Sequence, residues 1–153
     1  MIDGQVYSLA TYGAEGLNMN IMSYVSAVSM KPKRYSAAVY ENSKTLENLQ
    51  NSSHAVLQFL SLHHLDLIRV LGKKSGLSYN KEEYLSKQGA LDEWKGYPIL
   101  KDCTALILLR KISSQEAGDH ELFLFDVEKY QTFDNPGQLL RLNHLREKNI
   151  ISI

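Results

Sequence analysis

The sequence predicts a mainly β, α+β fold in which an antiparallel sheet curls into a barrel, with short helices inserted and a helix at the C-terminal end. Three observations carry this. About six short runs are dense in β-branched and aromatic residues, and most are separated by turn-length stretches. The helical patterns are inserted among these runs and do not alternate with them, which disfavours a doubly wound parallel sheet. The most apolar run, TALILLRKIS (104–113), passes through SQEAGD into HELFLFDVEKY (120–130), the pattern of a hairpin at the centre of a sheet.

In chain order, VYSLAT (6–11) reads as a strand closed by YGAEG, whose two glycines and acid form a turn. IMSYVSAVSM (21–30) reads as a second strand ending at Lys31-Pro32, and YSAAVY (35–40) as a third. TLENLQNS (45–52) sets Leu46 and Leu49 three apart among polar residues, a one-sided short helix, before HAVLQFLS (54–61) resumes as a strand. In HLDLIRVLGKKSG (64–76), Leu65, Ile68 and Leu71 have helical spacing, so a helix is expected to stop at Gly72 and a basic loop to follow. The polar stretch 77–102, broken by Gly89, Gly96 and Pro98, reads as a short helix plus an excursion. After the hairpin, QLLRLNHLREK (138–148) places Leu139, Leu142 and Leu145 on one helical face with basic residues at its end.

The 153 residues, 44% of them apolar, suit a single domain over 1–153. Seventeen basic and 17 acidic residues cancel, which leaves no general electrostatic footprint for nucleic acid or an anionic membrane. A lone cysteine, Cys103, excludes an internal disulfide framework and fits a reducing compartment. The start MIDGQVYSLA has no basic-then-apolar signal, and no run nears the roughly 20 apolar residues of a membrane span, so the cytoplasm is expected. His54, His63, His64, His120 and His144 show no metal-ligand spacing, and no Gly-x-Ser-x-Gly elbow supports a hydrolase. GKKSG (72–76) lacks the upstream glycine of a phosphate-binding loop and by itself reads as a solvated basic turn.

YENSKTLENL (40–49) has two readings. Ser43 or Asn42 can cap the helix that follows; alternatively, the free N–H groups of a helix start, with Ser43, Lys44 and Thr45, make a corner for a phosphate.

Four stretches in order, NMNIMSYVSAVSMKP (18–32), YENSKT (40–45), GKKSG (72–76) and GDH (118–120), resemble the flavin reductase family, the FMN-binding split barrels that include flavoredoxin-like proteins. Residues 18–32 fill the family frame Asn-Gly-Met-Thr-Val-Ser-Ser-Phe-x-x-Val-Ser-x-x-Pro without a gap. Asn18, Ser23, Val28, Ser29 and Pro32 match; Ile21 stands where a threonine is usual, and Tyr24 where a small or aromatic residue is. SGLSYNK, with Ser75, Gly76, Asn80 and Lys81, is similar to the family's Ser-Gly segment followed by Asp or Asn and Lys.

The resemblance implies a split barrel binding FMN, which needs an apolar wall, donors along one ring edge and an anion corner. It assigns the strand 21–29 to wall and edge, with Met22 and Tyr24 against the ring, Ser23 and Ser26 as hydroxyl donors, and Asn18, Ile21 and Val25 in the same frame. Asn42, Ser43, Lys44 and Thr45 form the corner, Ser75 flanks it, and His120 lies on the side of the nicotinamide. The activity implied is NADH- or NADPH-dependent reduction of FMN by a homodimer, with a partner oxygenase or other redox protein taking the electrons. The alternatives are an FMN carrier without nucleotide chemistry and a cofactor-free binding module, in which Met22 and Tyr24 are core and YENSKT is only a cap.

Overall fold

A computed structural model describes residues 2–133 and 138–152. Seven strands form one antiparallel sheet: β1 (Tyr7–Gly13), β2 (Gly16–Met19), β3 (Val25–Met30), β4 (Lys33–Tyr40), β5 (His54–Phe59), β8 (Ala105–Ala117) and β9 (His120–Thr132), in the order β2-β1-β5-β8-β9-β4-β3. A separate hairpin pairs β6 (Leu91–Trp94) with β7 (Tyr97–Leu100). The helices are α1 (Lys44–Asn51), α2 (Ile68–Lys73) after a 3-10 turn (Leu62–Leu67), α3 (Lys81–Lys87) and α4 (Leu142–Glu147).

β8 lies fourth of the seven strands, and its apolar density follows from that place. Leu106 and Leu108 enter one core with Val56, Met19, Ile68, Leu71 and Leu85, while Ile107 and Leu109 enter another with Leu9, Leu49, Leu57, Phe123 and Phe125. Successive side chains of a strand point to opposite faces, so a strand covered on both faces reads as a continuous apolar run. Phe123 and Phe125 of β9 stack with ring centroids 6.0 Å apart, and the expected hairpin is present, four residues longer toward its turn because SQEA (114–117) remains paired although exposed.

The sheet curls without closing, which is the split barrel. β2 pairs with Ala10–Gly13 of β1. At the other end of β1 the partner is Met22, which exchanges two backbone bonds of 2.8 Å with Tyr7. The expected strand 21–30 is therefore too long: β3 begins at Val25, and residues 20–24 cross from the β1 side to the β4 side as a connecting segment. Asn20 pins that segment by accepting the Leu9 N–H at 2.8 Å.

Three further elements depart from expectation. The helix expected over 64–76 is a 3-10 turn followed by α2, and Gly72 lies inside α2. A Cβ there would come 2.6 Å from Ile21 Cδ1, so glycine is needed for close packing and does not end the helix. The 77–102 excursion contains α3 and the β6–β7 hairpin, turned at Lys95 and Gly96, both at positive φ (54° and 85°). The C-terminal helix covers only 142–147; Leu139 is bridged to Ser61 and partly exposed, while Leu140 and Leu145 fill the core. No helix among the described residues is long and apolar enough to cross a membrane.

Candidate functional site

A cavity of about 420 Å³ opens where the crossing segment, the end of β4, the start of α1, the exit of α2 and the start of β9 converge. Asn18, Ile21, Met22, Ser23 and Tyr24 line one side, and Asn42, Ser43, Lys44 and Thr45 another. Ser75 and His120 also reach it, so residues from positions 18 to 120 are brought to one cavity by separate elements. Val25 and Ser26 do not line it. Val25 packs against the second core, and the Ser26 hydroxyl is exposed and donates to the Ala27 carbonyl at 3.1 Å. The strand begins at Val25, so the wall is the crossing segment ahead of it.

The α1 start settles how its residues are used. Ser43 is the N-cap: its Oγ accepts the Leu46 N–H at 3.2 Å and donates to the Tyr40 carbonyl at 2.6 Å. Thr45 is buried, and its Oγ1 accepts from the Asn18 amide at 3.3 Å, joining β2 to α1. Lys44 Nζ lies 2.8 Å from Glu15 and 2.8 Å from Glu47. The hydrogen bond to Glu15, and then that to Glu47, raises the Lys44 pKa above its ordinary value. The cap reading is therefore realised, and the side chains of Ser43, Lys44 and Thr45 already have protein partners.

The other lysines of the lining come from GKKSG and its sequel. Lys73, Lys74 and Lys81 line the cavity, and no Asp or Glu does among the described residues. Those lysines, with Asn20, Tyr40 and Gly76, are among the lining residues that sequence reasoning missed or gave no role. GKKSG reads as a solvated turn because its glycines give no sign of what they pack against. A Cβ on Gly76 would collide with Asn18 Oδ1 and lie 2.8 Å from Lys44 Cβ, so the loop is pressed onto β2 and α1. Lys81 lies in SGLSYNK, and burial lowers its pKa to about 8.

His120 begins β9 opposite Tyr40 in the register. Its Nδ1 is 2.6 Å from Asp119 Oδ1, the hairpin-turn contact, and its ring stands 5.2 Å from that of Tyr24 and 5.7 Å from that of Tyr40. An imidazole flanked by two tyrosines at a cavity mouth offers a partly exposed surface for a flat ring.

The model of the flavin reductase like domain matches residues 2–148. The chain belongs to that family. An uncharacterized protein of Archaeoglobus fulgidus is 26% identical over 126 residues, covering 80% of this chain and 71% of that one. Among solved structures, the FMN-binding protein from Thermus thermophilus with bound p-hydroxybenzaldehyde superimposes with a TM-score of 0.77 at 21% identity, over 87% of this chain and 74% of that chain. The styrene monooxygenase flavin reductase from Pseudomonas putida S12 gives a TM-score of 0.77 at 16% identity, over 92% and 86% of the two chains. At these identities the structural likeness shows the fold, and it is the flavin reductase split barrel.

Proposed function

We propose that this flavin reductase family member binds FMN in the cavity and transfers a hydride to it from NADH or NADPH. The observation that carries the reading is a cavity lined, among the described residues, by four lysines and no carboxylate in a chain of zero net charge, with Met22 and Tyr24 on one wall. Such a lining suits a flat ring bearing a doubly charged phosphate, and the volume lies within the range of cofactor sites, roughly 300–1,000 Å³. The names of the Thermus protein and of the Pseudomonas reductase support flavin as the ligand.

Bound FMN would supply the two-electron chemistry, and the chain's part is to position and to exclude. Met22, Ser23 and Tyr24 would hold the ring, with Asn18 and Ile21 behind them; the α1 start, Ser75 and the Lys73–Lys74 pair would hold the phosphate. His120, between Tyr24 and Tyr40, would receive the nicotinamide nucleotide. No general acid or base is required, in keeping with a cavity whose titratable groups are lysines, tyrosines and one histidine. The same reading takes the protein as one domain and as a homodimer, since edge strand β3 and the residue ahead of it expose Tyr24, Val28 and Met30, a surface a second copy would cover.

The test is an anaerobic assay of purified protein for loss of NADH or NADPH absorbance with and without added FMN. Oxidation dependent on FMN supports the reading. Protein that takes up FMN but oxidises neither nucleotide is an electron carrier, and protein that takes up no flavin loses the proposal altogether.

A further inference from the structure

The core inside the barrel is covered by a helix at one end and left open at the other. At the covered end, Leu46 and Leu49 of α1 enter the core that holds Leu9, Leu57 and Phe125, and Lys111 Nζ donates to the Leu49 carbonyl. α1 is the one helix among the described residues that contributes to this core; Ile68, Leu71, Leu85 and Leu145 from the other helices enter the first. The strand register carries the core away from α1 in layers: Ala55 with Leu109, then Leu9 and Leu57 with Ile107, and last Tyr7 and Phe59 with Ala105. That last layer, completed by Tyr35 of β4 and Val127 of β9, is only partly buried.

A recess of about 240 Å³ occupies the open end, with a largely apolar and aromatic wall from Tyr35, Phe59, Ile107, Val127 and Tyr130. Tyr7 backs Phe59 edge-on, with ring centroids 5.0 Å apart. Two polar groups of the lining have no polar partner among the described residues. Lys33 Nζ rests 4.4 Å from the Tyr130 ring centroid and meets no carboxylate, and the Tyr35 hydroxyl makes no hydrogen bond. No Asp or Glu lines the recess among the described residues. The two acids that flank Val127 in sequence are held elsewhere: Asp126 by Arg34 at 2.9 Å and Arg110 at 2.6 Å, and Glu128 by Arg110 at 3.3 Å and His54 at 3.1 Å.

Barrel ends are places where small ligands bind, and an apolar recess with few polar groups selects a ligand by where those groups stand. Here a bare hydrocarbon leaves the ammonium and the hydroxyl unmatched, and a cationic ligand meets no acid. A flat apolar body with a single anion answers all three features, the wall, the cation and the hydroxyl donor. We propose that the open end of the barrel is a binding site for a small aromatic carboxylate, its ring between Tyr35, Phe59 and Val127 and its anion on Lys33. The site is separate from the lysine-lined cavity, since the two linings share no residue among those described, and it does not rest on the flavin reading.

The two parts of the ligand respond differently to solution conditions. Lys33 is exposed, so its attraction for a carboxylate is modest and screened by salt, whereas contact of the ring with the recess is not. An aromatic acid should therefore bind about threefold to fivefold tighter than its uncharged amide at low salt, and the two should converge as salt is raised.

The deciding experiment titrates 2-naphthoate and 2-naphthamide into protein labelled at its Ile, Val and Met methyl groups, at low salt and with FMN present so that the lysine-lined cavity is taken. The NMR signals of Ile107 and Val127 are assigned through Ile107→Val and Val127→Ile. Movement of both signals, with the acid bound about threefold to fivefold tighter than the amide, supports the proposal. So does Lys33→Gln, an exposed change, that brings the acid down to the affinity of the amide, and Tyr35→Phe that weakens the acid alone. Signals unmoved up to the solubility of the probe overturn it, as does equal affinity for acid and amide. Movement of the Met22 methyl in place of Ile107 and Val127 means that the probe has entered the other cavity, and movement of the two signals on diluting the protein alone makes a second copy the occupant; either result overturns the proposal. If FMN does not bind, the functional proposal has failed separately, and the same two methyl signals still decide the recess.

Discussion

Glu15, at the turn between β1 and β2, holds the Nζ of Lys44 across the cavity rim at 2.8 Å. The contact neutralises the rim's cation before any ligand arrives, and Glu47 does the same from α1. A phosphate must compete with both carboxylates for that lysine. Glu15→Gln should therefore tighten FMN by a few-fold at low salt while leaving riboflavin unchanged, as read by fluorescence quenching. Equal effects on the two flavins would mean the lysine only braces the turn.

Gly76→Ala is expected to damage fold and site together. The new methyl would meet Asn18 Oδ1 and Lys44 Cβ, and Asn18 cannot yield without losing its bond to Thr45. A cost of about 1–2 kcal/mol in urea denaturation is expected, with weaker FMN binding. A variant as stable as the parent would show that the loop shifts freely.

Tyr24 is 64% exposed beside His120, so little of the core depends on it. Tyr24→Ala should leave the melting temperature of flavin-free protein within a degree or two, while changing the absorbance band or the quenching of added FMN. A large fall in melting temperature with unaltered flavin spectra would return Tyr24 to a structural role.

His120→Ala separates reductase from carrier. The imidazole is at the mouth, so its loss should raise the KM for NADH or NADPH or lower kcat, with FMN affinity kept within about twofold. Steady-state kinetics and an FMN titration on the same preparation test this, and a large loss of FMN affinity would move His120 into the flavin site.

A pH effect on stability is expected from His64, away from the cavity. It is buried; its Nε2–H donates to the Lys101 carbonyl at 2.6 Å and its Nδ1 accepts the Ser61 N–H at 3.0 Å, so the neutral ring is satisfied. Burial lowers its pKa below the ordinary 6.5 despite these backbone contacts. The unfolded chain binds the proton more readily, so this stability is complete above pH 6.5 and is lost as pH falls through the lower folded-state value. Urea midpoints near pH 5 and at neutrality should differ more in the parent than in His64→Gln.

The elements that announced themselves in the sequence are those with a buried face or two. β5 and β8 are continuous apolar runs because both sides are covered, and α1 is legible from Leu46 and Leu49. β2 escaped notice because four residues after a turn carry little pattern, and β6–β7 because it is short and partly exposed. The same limit governed the site. Residues named through the 18–32 frame meet at the cavity as far as Tyr24, but the break at Val25 depends on Met22 pairing with Tyr7, a contact between residues 15 apart in sequence that no local pattern encodes. Lys81 was legible as a motif residue but not as a buried cation, since burial comes from the packing of α2 and α3 around it.

The pairing of Tyr40 with His120 has a bearing on how the protein comes into being. Between these two partners lie 79 residues, including every turn of α1, α2 and α3. During synthesis the earlier walls of the cavity can assemble while its mouth is still missing, and only the return of β9 along β4 supplies the last side. A nascent polypeptide halted before His120 would carry all four lining lysines yet lack a finished cavity around them.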